Sequence, residues 1–457
     1  MFLNRKAELQ ELEKLYGESK PKLVILYGRR RVGKTALLWE FAKKNKGLYL
    51  LGRQESEAEQ LRRFSEEIAE FFNDSFLKVN PLSGWDAFFT YLGEKLSKSK
   101  VPLFFDEFPY MVESNKSLPS ILQDYWDNTF SKTSAFIILC GSSISMMEGL
   151  AGYKSPLYGR RTEQIILEPL TFFQAAEFFK GMSREDAVTF YSVLGGSPAY
   201  LLEFNLGKNL LDNIKDNMLQ RAKFLYNDVM FVLREELHEP RNYFSILHSV
   251  SKGNAKIGEI VNDTGLPKGT VSKYLSVLSD LRIVERRVPI TEKRMQNSRK
   301  GLYFIKDNYF NFWFRFVFQN ISYIEQGRID KLVDERIKPE LNAYIGRQFE
   351  NMAFQWLQKK FQSYLWGRWW HGDKELDCVG IDEKNRKIAF VEVKWSSLTD
   401  ADINSVFAEL KGKSQFVSWE SEGRAEEFMI IAKEAKEKSN FRNVFDLGDF
   451  NLGNDSG

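Results

Sequence analysis

Cysteine is scarce in this sequence, which has two cysteines among 457 residues. Cys140 and Cys378 lie far apart in strand-like segments, which indicates reduced thiols and argues against a disulfide framework or a structural zinc site. Long apolar runs are missing too, since none reaches the roughly 18 residues that a membrane-spanning helix needs. The first residues are charged and helix-like, unlike a signal peptide. We therefore expect a cytoplasmic protein without a membrane span.

An excess of either charge is also missing. The sequence has 65 Lys and Arg against 62 Asp and Glu, a net charge of +3, so any nucleic-acid surface must come from local clustering. With 43% hydrophobic and 28% charged residues the composition is that of a globular protein. A chain of 457 residues is longer than one core normally grows, which predicts two or three domains.

The clearest motif is a glycine-rich loop that lies between an apolar strand pattern and a helical pattern. Residues 28–35 read GRRRVGKT and fit the P-loop pattern G-x-x-x-x-G-K-[ST] in the context that it requires. Backbone N–H groups of such a loop face the phosphates of ATP, its lysine reaches the β and γ phosphates, and its hydroxyl ligates Mg²⁺. The predicted nucleotide-binding residues are Gly28, Arg29, Arg30, Arg31, Val32, Gly33, Lys34, Thr35 and Ala36.

Two acids end the apolar run VPLFFDE at residues 101–107. Behind a P-loop, Asp106 is expected to hold Mg²⁺ together with Thr35, and Glu107 is expected to polarise the attacking water as general base. Taken alone, such a pair indicates only a solvated turn. Together with Lys34 it predicts a site that hydrolyses ATP.

Two further segments fit the same site. Ser142 follows the apolar run FIILCG, where a third strand would reach the γ-phosphate, although a helix-capping role is an alternative. Arg160 and Arg161 follow a turn, and arginine near a developing phosphate charge accelerates hydrolysis. The alternative for this arginine pair is a surface salt bridge.

The arrangement of apolar runs predicts an α/β fold class. Runs at 22–27, 47–51, 101–105 and 135–139 alternate with helix-length segments, as in a parallel P-loop sheet. The pattern then becomes mainly helical beyond Gly159. We predict a P-loop core over residues 1–165, a helical lid over 166–239, a central winged helix-turn-helix over 240–325 and a C-terminal α/β domain over 326–450.

These motifs together resemble those of the archaeal-type ATPases of the STAND branch of AAA-like P-loop proteins. The shared elements are the GRRRVGKT loop, the FFDEF and CGSS strand ends, the YGRR turn and the GGSP segment at 195–198. The resemblance implies an ATPase and assigns Pro198 to the adenine side of the nucleotide. As bare sequence, the GGSP segment predicts only a loop.

Residues 256–278 predict a helix, a turn at Gly265 and a second helix, as in a helix-turn-helix. A run with seven cations among residues 282–300 follows where a β-wing would lie, which favours phosphate contacts. The candidate DNA contacts on the second helix are Lys268, Thr270, Ser272 and Lys273. The alternative is a winged helix that is structural or binds protein.

The C-terminal segment resembles the PD-(D/E)xK nucleases, which have a restriction-endonuclease-like fold. Asp377 lies in Glu-Leu-Asp, Glu392 and Lys394 lie in Glu-Val-Lys, and Glu350 lies on a helix upstream. The resemblance implies a second Mg²⁺ or Mn²⁺ site formed by the three acids, with Lys394 supporting the attacking water. The proline of the family motif is missing, and solvated alternation along a strand is the alternative.

Three functions follow from these motifs. The first is an ATPase that drives or gates an activity on DNA, which includes metal-dependent DNA cleavage. The second is a STAND-type signalling switch in which the C-terminal domain serves for docking. The expected partner is a further copy of the chain, in a nucleotide-dependent oligomer, or another protein. The third is a transcription regulator with an ATPase sensor and no cleavage.

Overall fold

A computed structural model describes residues 4–237 and 239–452. The chain divides into two compact units, Met1–Pro169 and Leu170–Gly457. Within the described residues, no helix has both the length and the apolar character needed to cross a bilayer. Both cysteines are free and buried.

The first unit contains a five-stranded parallel sheet with the strand order β2-β3-β4-β1-β5. Its strands are β1 Lys22–Tyr27, β2 Leu48–Leu51, β3 Pro102–Asp106, β4 Phe136–Gly141 and β5 Glu163–Ile166. The first four strands confirm the prediction that the apolar runs at 22–27, 47–51, 101–105 and 135–139 are strands. The described chain from Gly159 to Glu236 is mainly helical, as expected, apart from β5, a short edge strand that begins with the exposed polar pair Glu163 and Gln164.

Helices connect these strands in the order that a parallel sheet requires. They are α1 Lys6–Gly17, α2 Lys34–Asn45, α3 Glu57–Phe71, α4 Ser75–Val79, α5 Trp85–Lys98, α6 Phe108–Ser114, α7 Leu118–Asn128 and α8 Ile144–Ala151. A core formed by α1, α2 and the strands β1, β3 and β4 includes the fully buried Val24, Leu38, Phe104 and Ile138. Burial of these side chains on one face fixes α2, and with it the P-loop, against the sheet.

The second unit begins with helices and contains two sheets. Its helices are α9 Phe172–Ala175, α10 Arg184–Leu194, α11 Pro198–Leu201, α12 Leu210–Asn217, α13 Phe224–Glu236, α14 Arg241–Ser251, α15 Ile257–Thr264, α16 Lys268–Asp280, α17 Asn308–Phe312, α18 Ile321–Glu325, α19 Ile329–Leu332, α20 Lys338–Lys360 and α21 Asp400–Ser414. Its strands are β6 Val284–Arg287, β7 Leu302–Ile305, β8 Leu365–His371, β9 Lys374–Asp382, β10 Lys387–Leu398, β11 Ala425–Ala435 and β12 Val444–Phe445.

The winged helix-turn-helix is present in this unit. Gly265 has a positive φ of 68° and ends α15, so that the chain turns into α16. Ile260, Val271 and Leu275 are buried where the two helices pack. The antiparallel pair β6 and β7 follows as the wing.

The C-terminal sheet has the strand order β12-β11-β10-β9-β8. Strands β8, β9 and β10 form an antiparallel meander, and α21 then crosses over so that β11 runs parallel to β10. Helix α20 precedes this sheet in the chain. Ile290, which follows the wing strand β6, belongs to the same apolar core as Trp369 and Phe390 of the sheet.

Candidate ATP site and carboxylate cluster

The P-loop joins the end of β1 to the start of α2. Gly33 has a φ of 95°, a conformation that favours glycine, and a Cβ on Gly28 would lie 2.2 Å from the carbonyl oxygen of Leu167. Lys34 is 5% exposed, and its ammonium group donates hydrogen bonds to the carbonyl oxygens of Gly28 (2.8 Å) and Arg29 (3.0 Å). Burial lowers the pKa of Lys34. These carbonyls hold the ammonium group at the loop, where an incoming phosphate can replace them as its partner.

Asp106, at the end of β3, lies beside the P-loop hydroxyl as the sequence predicts. The Thr35 hydroxyl donates to Oδ2 of Asp106 at 2.9 Å, and the Tyr49 hydroxyl donates to the same oxygen. The other oxygen accepts the Glu107 N–H at 3.0 Å. A hydroxyl and a carboxylate are hard oxygen ligands of the kind that Mg²⁺ prefers, so Thr35 and Asp106 fit this ion.

Ser142, which follows β4, holds the carboxylate of Glu107, which follows β3. Both the N–H (3.2 Å) and the hydroxyl (2.9 Å) of Ser142 donate to Oε2 of Glu107. Glu107 has a φ of 49° and a ψ of 44°, a left-handed conformation that costs free energy in a residue other than glycine and is common at functional sites. The structure therefore brings together Lys34, Thr35, Asp106, Glu107 and Ser142 at the carboxyl ends of β1, β3 and β4.

Two residues at this site carried no signal in the sequence. Arg5, which is 4% exposed, donates to the carbonyl oxygens of Val32 (2.8 Å) and Glu168 (2.6 Å). The first of these bonds stabilises the P-loop. Tyr49 comes from β2 and orients Asp106. Burial, together with the charge of Asp106, raises the pKa of Tyr49 well above its ordinary value, so the hydroxyl stays a donor.

The remaining P-loop residues have different surroundings. Arg29 is buried, whereas the Arg30 guanidinium donates to the Tyr110 hydroxyl at 2.9 Å. Arg31 has a positive φ of 73°. Val32 is fully buried, and Ala36 lies in the first turn of α2.

The structure does not bring Arg160 and Arg161 to the P-loop of this chain. They precede β5, and the next residue, Thr162, pairs with Leu23 near the start of β1, whereas the P-loop follows the end of β1. Arg160 forms an exposed ion pair with Asp127 (2.9 Å), and Arg161 donates to the carbonyl oxygen of Ala151. The surface salt bridge that the sequence left as the alternative is the arrangement observed for Arg160.

Pro198 lies in the second unit, at the first position of α11. The preceding glycines are required by the backbone: Gly195 has a φ of 65°, and a Cβ on Gly196 would lie 1.7 Å from the carbonyl oxygen of Leu170. The assignment of Pro198 to the adenine side stays a prediction.

The C-terminal acids meet on one face of the C-terminal sheet. Asp377 on β9 accepts the Val393 N–H of β10 at 2.7 Å. Glu392, which is 5% exposed, pairs with Lys394 (2.8 Å) and with Lys413 of α21 (3.3 Å). Although burial opposes the effect, the hydrogen bond to Glu392 raises the pKa of Lys394.

Glu350 approaches the same cluster from α20. Its carboxylate pairs with Arg368 of β8 at 2.8 Å. Burial raises the pKa of Asp377 well above its ordinary range, and the charges of Glu350 and Glu392 add to this effect. Within residues 4–237 and 239–452, however, no three acids, histidines or cysteines are arranged as a ready set of metal ligands. The physical reason here is that cations, Arg368, Lys394 and Lys413, already pair with two of the three acids.

The predicted cations of the wing divide into two groups. Arg286 donates to the carbonyl oxygens of Met295 (3.0 Å) and Ser298, and Arg287 donates to Asn351 (3.1 Å), so both stabilise the fold. The exposed cations of the wing are Lys293, Arg294, Arg299 and Lys300. On α16, Lys268 and Lys273 are exposed, and Thr270 and Ser272 are half-buried.

Three family models match this chain. An ATPase domain found predominantly in Archaea matches residues 2–204. A bacterial regulatory protein model of the arsR family, a helix-turn-helix, matches residues 244–286. A model for archaeal and bacterial proteins of unknown function matches residues 313–406. The ATP site described above falls within the first match, and most of the winged helix falls within the second.

Individual proteins resemble the chain as well. A Walker-type ATPase of Pyrococcus abyssi shares 22% identity and a TM-score of 0.53 over 69% of this chain and 96% of its own, which shows a likeness of fold. An ATP-binding protein of Methanocaldococcus jannaschii is 56% identical over 46 residues, which are 10% of this chain and 78% of that protein. Another protein of that organism is 33% identical over 98% of this chain and 100% of its own. The chain therefore belongs to the family of this full-length relative, and with the predominantly archaeal ATPase domain in its first part it is an ATPase.

Proposed function

We propose that this chain is a cytoplasmic Mg²⁺-dependent ATPase whose nucleotide state gates an association with DNA. The observation that supports the ATPase part is that the Thr35 hydroxyl and the backbone N–H of Glu107 donate to the two oxygens of Asp106. Thr35 and Asp106 are the residues that would hold Mg²⁺, which would neutralise charge on the phosphates. Lys34 binds the β and γ phosphates, and Glu107 accepts a proton from the attacking water.

ATP hydrolysis by purified variants tests these roles. Lys34→Ala is expected to abolish ATP binding, whereas Glu107→Gln is expected to keep binding and to lower kcat by about 100-fold or more. Lys43→Ala is the matched control, since Lys43 lies on the same helix with an exposed side chain. Hydrolysis by Glu107→Gln at the rate of the parent chain would show that Glu107 is not the base.

The DNA part of the proposal is supported by the winged helix-turn-helix. Lys268 and Lys273 lie on α16, which corresponds to the helix that such domains insert into the major groove, and the wing adds four exposed cations. A nucleotide-dependent oligomer or protein partner is the alternative use of this unit, as in a STAND-type switch. Retention of a labelled DNA duplex, weakened by Lys273→Ala, would favour DNA over that alternative.

Metal-dependent DNA cleavage is a second candidate, which the carboxylate cluster favours. The meander β8-β9-β10, followed by α21 and the parallel strand β11, supports this candidate, because a restriction-endonuclease-like core is expected to have such an arrangement. Asp377, Glu392 and Lys394 are the residues that we propose for its site. The carboxylates would hold Mg²⁺ or Mn²⁺ once the ion pairs of Glu392 and Glu350 give way, and the ion would activate water for attack on a phosphodiester.

Two measurements test this second candidate. Cleavage of DNA with Mg²⁺ or Mn²⁺ should be lost in Asp377→Ala and kept in Glu383→Ala, which removes an exposed acid of a nearby turn. Mn²⁺ should also raise the melting temperature of the parent chain more than that of Asp377→Ala. A docking role of this domain, in a signalling switch or a transcription regulator, instead predicts ATP hydrolysis without cleavage and without the metal effect.

A further inference from the structure

A groove of about 820 Å³ runs through the second unit between the winged helix and the turn that joins β8 to β9. The first residues of α15 and α16 form one side, and the wing forms the floor. The other side is the hairpin tip, which we define as Trp370, His371 and Gly372. The groove is thus formed by two parts of the chain that the sequence predicts as separate domains, 240–325 and 326–450.

The groove carries a local excess of positive charge, although the whole chain is nearly neutral. Its lining within the described residues includes Lys256, Lys268, Arg286, Arg299 and Lys300, and it includes no aspartate or glutamate, although Glu292 pairs with Lys300 (2.8 Å) and Glu259 with Lys256 (3.5 Å) from outside the lining. Lys256, Lys268, Arg299 and Lys300 are exposed. Such clustering of cations favours a polyanion with regularly spaced charges.

Aromatic side chains lie among these cations. Trp370 is half-buried, and its indole N–H donates to the carbonyl oxygen of Lys300 at 3.1 Å. Tyr303 is also half-buried, and its backbone N–H donates to the carbonyl oxygen of Ala255 at 2.9 Å. These bonds join the wing to the hairpin and to the segment that precedes α15. Aromatic faces beside cations suit the bases and phosphates of a nucleic-acid strand.

The hairpin tip is continuous with the carboxylate cluster. Trp370 pairs with Glu375 across β8 and β9, so the two side chains lie on the same face of the sheet. Asp377 follows Glu375 by two residues, about 7 Å further along β9, where the pairing of β8 with β9 is irregular. The hairpin tip is therefore close in sequence and along β9 to Asp377.

We propose that this groove binds the sugar-phosphate backbone of a DNA strand and that the hairpin tip is a third DNA contact beside α16 and the wing. The inference rests on the proposed association with DNA and deepens it by naming where the strand leaves the winged helix. The exposed cations of the groove contact phosphates, and Trp370 and His371 contact the strand as it passes toward Asp377.

Charge reversal at the two sides of the groove tests this proposal. Arg299→Glu and His371→Glu should each weaken the binding of a fluorescein-labelled DNA duplex with one single-stranded arm by about tenfold in fluorescence anisotropy. Arg299→Ala should also lower the slope of log affinity against log salt by about one. Arg299→Lys should restore affinity, which excludes misfolding as the cause. Lys384→Glu is the matched control, because it reverses a charge at the exposed turn between β9 and β10 of the C-terminal sheet. This variant should bind DNA as the parent chain does.

The outcomes separate this inference from the proposed function. If Lys273→Ala weakens binding but Arg299→Glu and His371→Glu do not, the groove is no DNA site and the winged helix alone binds DNA. If the parent chain does not bind the probe, both proposals fail. If an RNA strand of the same sequence binds more tightly than the DNA arm, the assignment to DNA is overturned.

Discussion

At the scale of single residues, Asp106 is the point where the ATP site is assembled. Its Oδ2 accepts hydrogen bonds from Thr35 and Tyr49, and its Oδ1 accepts one from the backbone of Glu107. A hydrogen bond to a charged group contributes about 1.5–3 kcal/mol. The hydroxyl of Tyr49 therefore contributes measurably to the orientation of the carboxylate.

Tyr49→Phe removes this hydroxyl and keeps the ring. We expect kcat for ATP hydrolysis to fall by about 10-fold, and half-saturation to need more Mg²⁺, because the carboxylate loses one of its fixed donors. ATP affinity without the metal should change little. Tyr16→Phe is the control, since its hydroxyl donates to the carbonyl oxygen of Lys100 at 2.9 Å and not to the site. An unchanged Mg²⁺ dependence in Tyr49→Phe would contradict this role.

Asp377 gives a prediction about pH. Burial and the charges of Glu350 and Glu392 raise its pKa in the folded protein, so the folded state binds this proton more tightly than the unfolded state does. Its contribution to stability is complete below the ordinary value of about 4 and is lost as the pH rises through the raised folded-state value.

Asp377→Asn should therefore be the more stable protein at a pH of about 8, by about 1 kcal/mol, with a smaller difference at a pH of about 5. The asparagine can still accept the Val393 N–H through its carbonyl oxygen. Thermal unfolding at the two pH values measures the difference. Equal melting temperatures for the two proteins at the higher pH would show that neither burial nor the neighbouring acids disfavour the charged form of Asp377 in the folded protein.

Sequence could predict the residues that a short motif fixes and not those that the fold supplies. Lys34 and Thr35 follow from the spacing of one loop, and Asp106 and Glu107 from the end of one apolar run. Arg5, Tyr49 and Lys413 reach their partners across long stretches of chain, and no local pattern surrounds them. Arg160 was assigned to the ATP site from the paired arginines after a turn and from the YGRR resemblance, and its place before the edge strand β5 could only be seen in the sheet.

At the scale of elements, two glycines have opposite surroundings. Gly196 has no room for a side chain, because a Cβ would lie 1.7 Å from the carbonyl oxygen of Leu170. Gly412 lies in α21, and no atom lies within 4 Å of the position of its Cβ. The same substitution therefore has opposite effects at the two positions.

Gly196→Ala should destabilise the protein by about 1–3 kcal/mol, because the backbone of Leu170 has to move. Gly412→Ala should stabilise it by about 0.5–1 kcal/mol, because alanine loses less backbone entropy in a helix. Denaturant unfolding of the two variants measures both changes. A Gly196→Ala protein as stable as the parent chain would contradict the packing described for this loop.

Strands were predictable where they are buried on both faces. All or nearly all residues of β1, β3 and β4 are buried, so their sequences are continuous apolar runs. The edge strand β5 has exposed or half-buried residues throughout, and it gave no such run. The helix-turn-helix was predictable because Gly265 and the apolar spacing of α15 and α16 are local features.

At the scale of the whole molecule, the first unit ends at Pro169, close to the predicted boundary of the P-loop core at residue 165. The predicted boundaries at residues 239 and 325 fall inside the second unit. Tyr309 donates to the carbonyl oxygen of Leu225 at 2.6 Å, and Ile290 packs in the core of the C-terminal sheet. Contacts of this kind are remote in sequence, so composition and local pattern could not predict them, and the domain boundaries at residues 239 and 325 stay a prediction.

ATP binding should be visible as stabilisation. With Mg·ATP at about 100 times its Kd, the free energy of unfolding rises by about 2.7 kcal/mol in a protein that binds only when folded. Differential scanning fluorimetry should therefore show a higher melting temperature with Mg·ATP for the parent chain and for Glu107→Gln. Lys34→Ala should show no such rise, and a rise in that variant would contradict the role of Lys34.

The gating of DNA association by nucleotide is tested most directly by the DNA affinity of Glu107→Gln, which is expected to hold ATP without hydrolysing it. Fluorescence anisotropy with a labelled duplex, measured with Mg·ATP, with Mg·ADP and without nucleotide, compares the states, and Lys34→Ala serves as the variant that does not bind ATP. In Glu107→Gln, we predict that the affinity for DNA with Mg·ATP differs by about fivefold or more from the affinity with Mg·ADP or without nucleotide. In Lys34→Ala, we predict the same affinity in all three conditions. The same affinity in every nucleotide state of Glu107→Gln would contradict the proposal and would leave an ATPase that does not control its winged helix.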